Sequence, residues 1–249
     1  MSFLIMKPVN ILAVVQARLS SKRFPNKVLQ EISGDLLINF MLNRIKLAQF
    51  VDGVVIATSD DLDGNKIVSE ASGNFFYQGS LNNVRSRFVD ISRLFKPSHI
   101  IRLTADCPLI CPVLIDQVVE EHLNAGADYT ANCNYRGFPS GFNVEIFKAS
   151  LMLEDRFLTL DSNHQEHVTP LFYQSNSGYR VHNVCFSEWR TAKNYRFDVD
   201  YPEDLQSIKR LLGESKVTFP FFSDLWELQQ KLSKINKLFF NASEGPSKL

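Results

Sequence analysis

Four cations crowd into ten residues of the first loop, Arg18, Lys22, Arg23 and Lys27, with Ser20, Ser21 and Pro25 between them. In a chain whose charges cancel, such a cluster suits a polyanion such as a triphosphate. Guanidinium groups fork onto phosphate oxygens, an ammonium adds a compact charge, and loop amides add further donors. The same composition also describes a solvated basic loop. Two aspartates offer complementary chemistry: Asp106 follows the apolar run 99–103, and Asp200 follows 195–199. Two carboxylates from separate strand ends, joined by phosphate oxygens and water, can satisfy a magnesium ion. Such an ion would orient a triphosphate, polarise its α-phosphorus and help deprotonate an incoming hydroxyl. Taken alone, an aspartate at a strand end is more often a turn or helix cap. No Ser-His-Asp or Cys-His constellation competes, and the thiolate of Cys107 is disfavoured by the charge of Asp106 beside it. His164 and His167 lie three apart, but no third ligand is spaced to complete a zinc site.

The elements that must position these groups follow from periodicity. Short continuous apolar runs at 11–15, 54–57 and 99–103 read as strands buried on both faces, and 75–77 as a further short strand. Helical spacing marks 36–48, a helix opened by Asp63 or Asn65 and running to about Ala71, 84–95, and 113–123 with Pro112 in its first turn. Strand, loop and helix thus alternate, which predicts right-handed crossovers and a mostly parallel sheet. The second half is less regular: strands at 143–147, 179–184 and 195–199, helices at 148–156, 166–174 and 205–212. In open α/β sheets ligands sit beyond the carboxyl ends of the strands, which is where the basic loop and both aspartates fall.

Composition bounds the rest. The chain has 249 residues with 27 basic and 27 acidic side chains, so no global field recruits nucleic acid or a membrane surface. The opening residues MSFLIMKPVN hold too short an apolar run for a signal peptide, and no run reaches the ~18 apolar residues of a membrane span. Four sparse cysteines, Cys107, Cys111, Cys133 and Cys185, lack CxxC pairing and read as buried or half-buried thiols of a cytoplasmic protein. The tail from Asn241 is polar.

The stretch QARLSSKRFPNKVL resembles the opening signature of the sugar cytidylyltransferases, with Arg18, Ser21, Arg23, Pro25, Lys27 and Leu29 at matching spacing. That family includes the 3-deoxy-manno-octulosonate and acylneuraminate enzymes, and the spore-coat SpsF type is its nearest branch. RLTADCPLI and FDVDYPEDL resemble two further family motifs, in which Asp106 and Asp200 stand at the metal ligands; Ala105 replaces a glycine and Tyr201 a threonine. YQGSLNNVRSRF resembles the base-side segment, with Gln78 in place of a common arginine. FPSGFNVE and EHVTP resemble sugar-side motifs, with Asn143 in place of an aspartate.

The resemblance implies a Rossmann-like, mostly parallel sheet of the nucleotide-diphospho-sugar transferase type, with a smaller irregular insertion. It implies Mg2+ as cofactor and CTP plus a sugar or sugar acid as substrates. Arg18, Lys27, Asp106 and Asp200 would be catalytic, and the two aspartates would hold the metal. Gln16, Ala17, Arg18, Arg23, Lys27, Gly79, Asn83, Arg87, Thr104, Ala105 and Asp106 would bind nucleotide, and Asn143, Glu145 and His167 the sugar. Glu145 could instead be an exposed strand carboxylate, His167 a core histidine, and Asn83 an ordinary helix cap. The motifs define one domain over 1–212, with sugar-side and dimer elements inside 133–190. A helical extension is expected at 213–249, and a homodimer is implied by resemblance.

Overall fold

The computed structural model describes residues 10–71, 73–133, 138–154, 162–185 and 195–214. The expected extension therefore lies, from residue 215 onward, outside the described residues. So do parts of the expected sugar-side region.

The first strand, β1 (Ile11–Gln16), is buried almost throughout: Ala13 and Val15 pack on one face of the sheet, Leu12 and Val14 on the other. Continuous apolarity is what a strand covered on both faces needs, and each fully buried Val or Leu is worth about 1.5–3 kcal/mol. After a basic loop and a single 3-10 turn at Lys27–Leu29, the chain makes a small hairpin, β2 (Glu31–Ile32) and β3 (Asp35–Leu36). Ser33 and Gly34 both have positive φ, 50° and 82°, as a tight two-residue hairpin turn demands. There follow α1 (Leu37–Ile45), β4 (Gly53–Ser59), α2 (Leu62–Glu70), β5 (Phe75–Gly79), α3 (Val84–Phe95), β6 (His99–Thr104) and α4 (Pro112–Ala125). The alternation expected from the sequence is present. Helix α2 opens earlier than expected because Asp61 caps it, accepting from the Gly64 amide at 2.9 Å and the Ser59 hydroxyl at 2.6 Å. Gly64 is required there: a Cβ would lie 1.8 Å from the Ser59 carbonyl oxygen.

The second half departs further from expectation. A three-residue strand, β7 (Tyr129–Ala131), pairs with β8 (Glu145–Lys148) and with β9 (Val181–Asn183). The segment 195–199 forms only a single parallel bridge, Arg196 to Ser140. The helix expected at 148–156 is a 3-10 turn at Ala149–Leu153. The helix expected at 166–174 is broken into α5 (Ser162–His167) and α6 (Pro170–Tyr173). Val168 interrupts them at φ 68°, a strained left-handed conformation for a β-branched residue. The last described helix is α7 (Pro202–Glu214).

Among the described residues the sheet has seven strands in the order β5-β4-β1-β6-β8-β7-β9, with all pairs parallel except those made by β8. The chain runs outward from β1 to β4 and β5, then returns to β6 on the other side of β1. That reversal opens a crevice at the carboxyl ends of β1 and β6, where Gln16 lies opposite Thr104. Among the described residues no helix is long and apolar enough to cross a membrane.

Candidate active site

A cleft of about 160 Å³ opens at that reversal point. Gln16, Thr104, Ala105 and Asp106 line it from the strand ends; Arg18, Ser21, Arg23, Lys27 and Val28 from the basic loop; Asp200 from the segment just before α7. Its centre is Lys27. The Nζ ammonium donates to Asp106 Oδ2 at 3.0 Å, to Asp200 Oδ1 at 3.1 Å and to the Val199 carbonyl at 2.7 Å. Residues 79 and 173 positions away in sequence are thereby drawn to one atom.

Local structure explains how each group is held. The Val199 amide donates to the Asp106 carbonyl at 2.8 Å, tying the two aspartate segments together. Asp204, in the first turn of α7, accepts from the backbone amides of Asp200 and Tyr201, both at 2.8 Å. It is the reaching-back half of a capping box. Gly141, at φ 98°, lets the segment 197–198 lie against it; a Cβ would stand 2.4 Å from the Phe197 carbonyl carbon. Arg44 on α1 is buried and donates to the Ile110 and Leu109 carbonyls at 2.8 and 3.3 Å, bracing the loop beyond Asp106. Burial lowers its pKa to about 10.

Asp200 is the most heavily neutralised carboxylate of the cleft. Arg23 Nη2 lies 2.5 Å from its Oδ2, Arg196 Nη2 lies 3.2 Å from the same oxygen, and Lys27 holds the other. Burial opposes its charge, but Arg23 and Lys27 outweigh burial and hold its pKa below the usual carboxylate range. For Lys27 burial favours the neutral amine, yet Asp106 and Asp200 prevail and raise its pKa. Asp198 clamps Arg196 through contacts of 3.2 and 2.8 Å and so bears on Asp200 indirectly. Tyr201, which departs from the motif, places its ring 5.4 Å from the Arg23 guanidinium. Ala105 is buried, its amide donates to the Gln16 carbonyl at 3.0 Å, and its φ is not positive, so its methyl brings no left-handed strain. The Cys107 thiol is pushed well up by burial first and by Asp106 second. All four cysteines are free, and Cys185 is exposed rather than buried.

The donor set suits a cation. Two carboxylates converge on a position that an ammonium now fills, and no described cluster of three or more His, Cys, Asp or Glu could hold a metal alone. Asp106 and Asp200 would therefore need phosphate oxygens and water to complete a coordination shell, which is magnesium's habit.

The remaining candidate residues are placed differently. Arg18 is exposed and reaches Glu166 at 3.4 Å. Ala17 is buried, its amide donating to the Ala57 carbonyl at 3.1 Å. The same carbonyl accepts from Arg87 at 3.3 Å. Arg87 is itself buried and grips the Ser80 and Leu81 carbonyls, so it lies beneath the base-side loop. Asn83 caps α3, its Oδ1 accepting from the Ser86 amide at 3.0 Å. Gly79 ends β5, where a Cβ would crowd Tyr77 and Arg87 at 3.1 and 3.2 Å. Glu145 is not an exposed strand carboxylate. It is buried, accepts from Tyr129 at 2.8 Å and Thr169 at 2.6 Å, and pairs with Arg102. Asn143 is half-buried and His167 is exposed rather than in the core.

A sequence profile described as cytidylyltransferase matches residues 12–238. The chain belongs to the cytidylyltransferase family. The enzyme is 35% identical over 209 residues to the spore coat polysaccharide biosynthesis protein SpsF of Bacillus subtilis (strain 168), covering 81% of this chain and 86% of that one. A 3-deoxy-manno-octulosonate cytidylyltransferase of Pelobacter propionicus is 30% identical over 116 residues, 47% of this chain and 46% of that one. Among solved structures, a cytidylyltransferase from Leptospira borgpetersenii superposes with a TM-score of 0.83 at 25% identity, covering 97% of this chain and 99% of that one. CMP:2-keto-3-deoxy-manno-octonic acid synthetase complexed with CTP superposes at 0.59 and 17% identity, over 82% and 99% of the two chains, a likeness of fold. The family, the SpsF-type resemblance and the fold class expected from the motifs are thus borne out, and the enzyme is a nucleotidyltransferase.

Three supporting residues escaped sequence reasoning. Arg196 carries a legible signal: Arg196, Asp198 and Asp200 alternate along an extended segment and so share one side of it. Arg102 is a lone charge inside an apolar strand, a position that demands a partner. Arg44 lies in a helix pattern that gives no hint of the carbonyls it meets.

Proposed function

We propose that the enzyme transfers CMP from CTP to a hydroxyl of a sugar or sugar acid, releasing pyrophosphate, in the building of a surface polysaccharide or glycan. One observation carries the reading: Lys27 bridges Asp106 and Asp200 beside Arg23, at the carboxyl ends of β1 and β6. The sugar oxygen attacks the α-phosphorus in line, the bond from that phosphorus to the bridging oxygen breaks, and the hydroxyl proton leaves to solvent. Such transfers need positioning and charge stabilisation more than covalent work by the protein.

Arg18, Arg23 and Lys27 grip the triphosphate, and Lys27 and Arg18 offset the charge that grows on departing pyrophosphate. Magnesium, held by Asp106 and Asp200, would supply Lewis-acid polarisation of the α-phosphoryl group. Gln16, Ala17, Thr104 and Ala105 form the floor under the nucleotide, and the Gly79–Asn83 turn with Arg87 behind it faces the base. Asn143 and His167 meet the sugar, with Glu145 bracing that end from behind through Thr169. The resemblance further implies a cytoplasmic homodimer, for which light scattering of the purified chain is the direct check.

The test is pyrophosphate release with CTP, UTP, ATP and GTP, each with and without magnesium, against a panel of neutral and acidic sugars. Release confined to CTP and magnesium is expected, and Asp106→Asn and Asp200→Asn should each abolish it. Full activity in either variant removes that aspartate's role. Preference for another triphosphate would favour a second reading, a nucleotidyltransferase of different base choice. Gln78 motivates that reading: it stands where the family carries arginine, and its amide is spent on Ser59 and Asn65 at 3.2 and 2.9 Å.

A further inference from the structure

A chain of polar contacts runs from the buried side of the sheet to the wall of the cleft. Glu145 on β8 accepts from Tyr129, Thr169 and Arg102, and Arg102 on β6 extends Nη2 to Gln16 Oε1 at 3.1 Å. Gln16 is half-buried and lines the cleft with Arg18, Arg23 and Lys27. An amide can usually be turned end for end without changing its shape, but not here. Guanidinium carries donors only, so the oxygen of Gln16 must face Arg102 and its nitrogen must face away. Arg102 cannot release that oxygen cheaply, because its own charge is fixed by a carboxylate that two hydroxyls hold in place.

We propose that Arg102 is a positioning residue that turns the Gln16 amide so that its NH₂ group faces the cleft and donates a hydrogen bond to an acceptor atom of the bound nucleoside triphosphate. The inference rests on reading the cleft as a nucleotide site and deepens it. The strand end adjoining the basic loop offers a neutral donor with a fixed direction, where the surrounding cations offer charge. Lysine cannot replace Arg102, since one ammonium cannot span Glu145 and Gln16 as a planar fork does.

The experiment is calorimetric titration of the full chain with CTP and magnesium, for the unaltered protein, Gln16→Met, Arg102→Lys and the double variant. Gln16→Met keeps the side-chain length, adds no charge and removes the donor, so CTP should bind about tenfold more weakly, as one lost hydrogen bond to a charged or polar ligand implies. Arg102→Lys should weaken CTP several-fold in the presence of Gln16 and add nothing further in the double variant, because its effect passes through that amide. A merely structural role would instead make the two losses add. CTP bound by Gln16→Met as tightly as by the unaltered protein overturns the proposal, even if Arg102→Lys folds poorly. No CTP binding by the unaltered protein overturns the functional reading along with it.

Discussion

Two ion-paired clusters flank the crevice and use the same kinds of side chain for opposite ends. At the phosphate end, Lys27 joins Asp106 and Asp200, whose side chains are 30% and 17% exposed; Arg23 completes the group from the surface. At the other end, Arg102 and Glu145 are 13% and 9% exposed, and Glu145 also takes hydrogen bonds from Tyr129 and Thr169. The first cluster opens to solvent, so its pairs can exchange partners with an incoming anion, as the proposed function requires. The second is buried among its neighbours and reaches the cleft wall through Gln16. The lesson is that an ion pair's surroundings, more than its members, decide whether it works as a site or as a frame.

Breaking the first cluster should cost chemistry. Lys27→Met is expected to lower kcat by about 10²–10³-fold, the scale of losing one preorganised donor at a developing negative charge, while the folded state persists. Steady-state pyrophosphate release beside a thermal melt checks both halves. Breaking the second cluster should cost the fold. Glu145→Ala leaves Arg102 charged and buried without its carboxylate, a loss of about 3–5 kcal/mol for a buried pair; denaturant midpoints measure it, and a change below about 1 kcal/mol would erase the contrast.

A smaller effect sharpens the contrast through pH. His122 is buried, with Nδ1 2.8 Å from Thr130 Oγ1 and its ring 5.0 Å from that of His99. Burial first, then His99 and Lys148, lower its pKa to about 4. The unfolded chain therefore takes up this proton before the folded one does. Stability should fall as pH drops from about 6.5 towards about 4 and level off below. Urea midpoints across that window should show a slope that His122→Gln flattens. The Lys27 cluster contributes little over the upper part of that window: the Asp200 carboxyl is held below its usual range, so its share of stability is lost only from about pH 5 downward. Smallest of all should be Glu166→Ala. Its pair with Arg18 is about half exposed on both sides, so less than about 1 kcal/mol of stability is at stake.

Legibility in the sequence followed the length and periodicity of each element. The strands through 11–15 and 99–103 were readable because continuous apolar runs fit a sheet covered on both faces, and 84–95 because its helical spacing is uninterrupted. Tyr129–Ala131 was not, since three residues carry no period. The hairpin at Ser33-Gly34 left only its turn dipeptide as a clue. The split between α5 and α6 had a signal in Pro170, which opens α6 and cannot continue a helix, while the left-handed backbone of Val168 had none. In the site, Lys27 was legible from the basic loop it closes, and Asp106 and Asp200 from the motifs around them. Glu145 read as a sugar contact or an exposed carboxylate, and its burial was hidden because the Arg102, Tyr129 and Thr169 around it lie 43, 16 and 24 positions away.

Seen from solvent, the resting crevice is nearly silent. Arg18, Arg23, Lys27 and Arg196 are matched by Glu166, Asp106, Asp198 and Asp200, each cation already touching an anion. Little potential reaches past a Debye length of about 8 Å, so long-range steering has small purchase on arriving nucleotide. Encounter rates should barely respond to added salt, and stopped-flow mixing at two ionic strengths would expose any hidden pull.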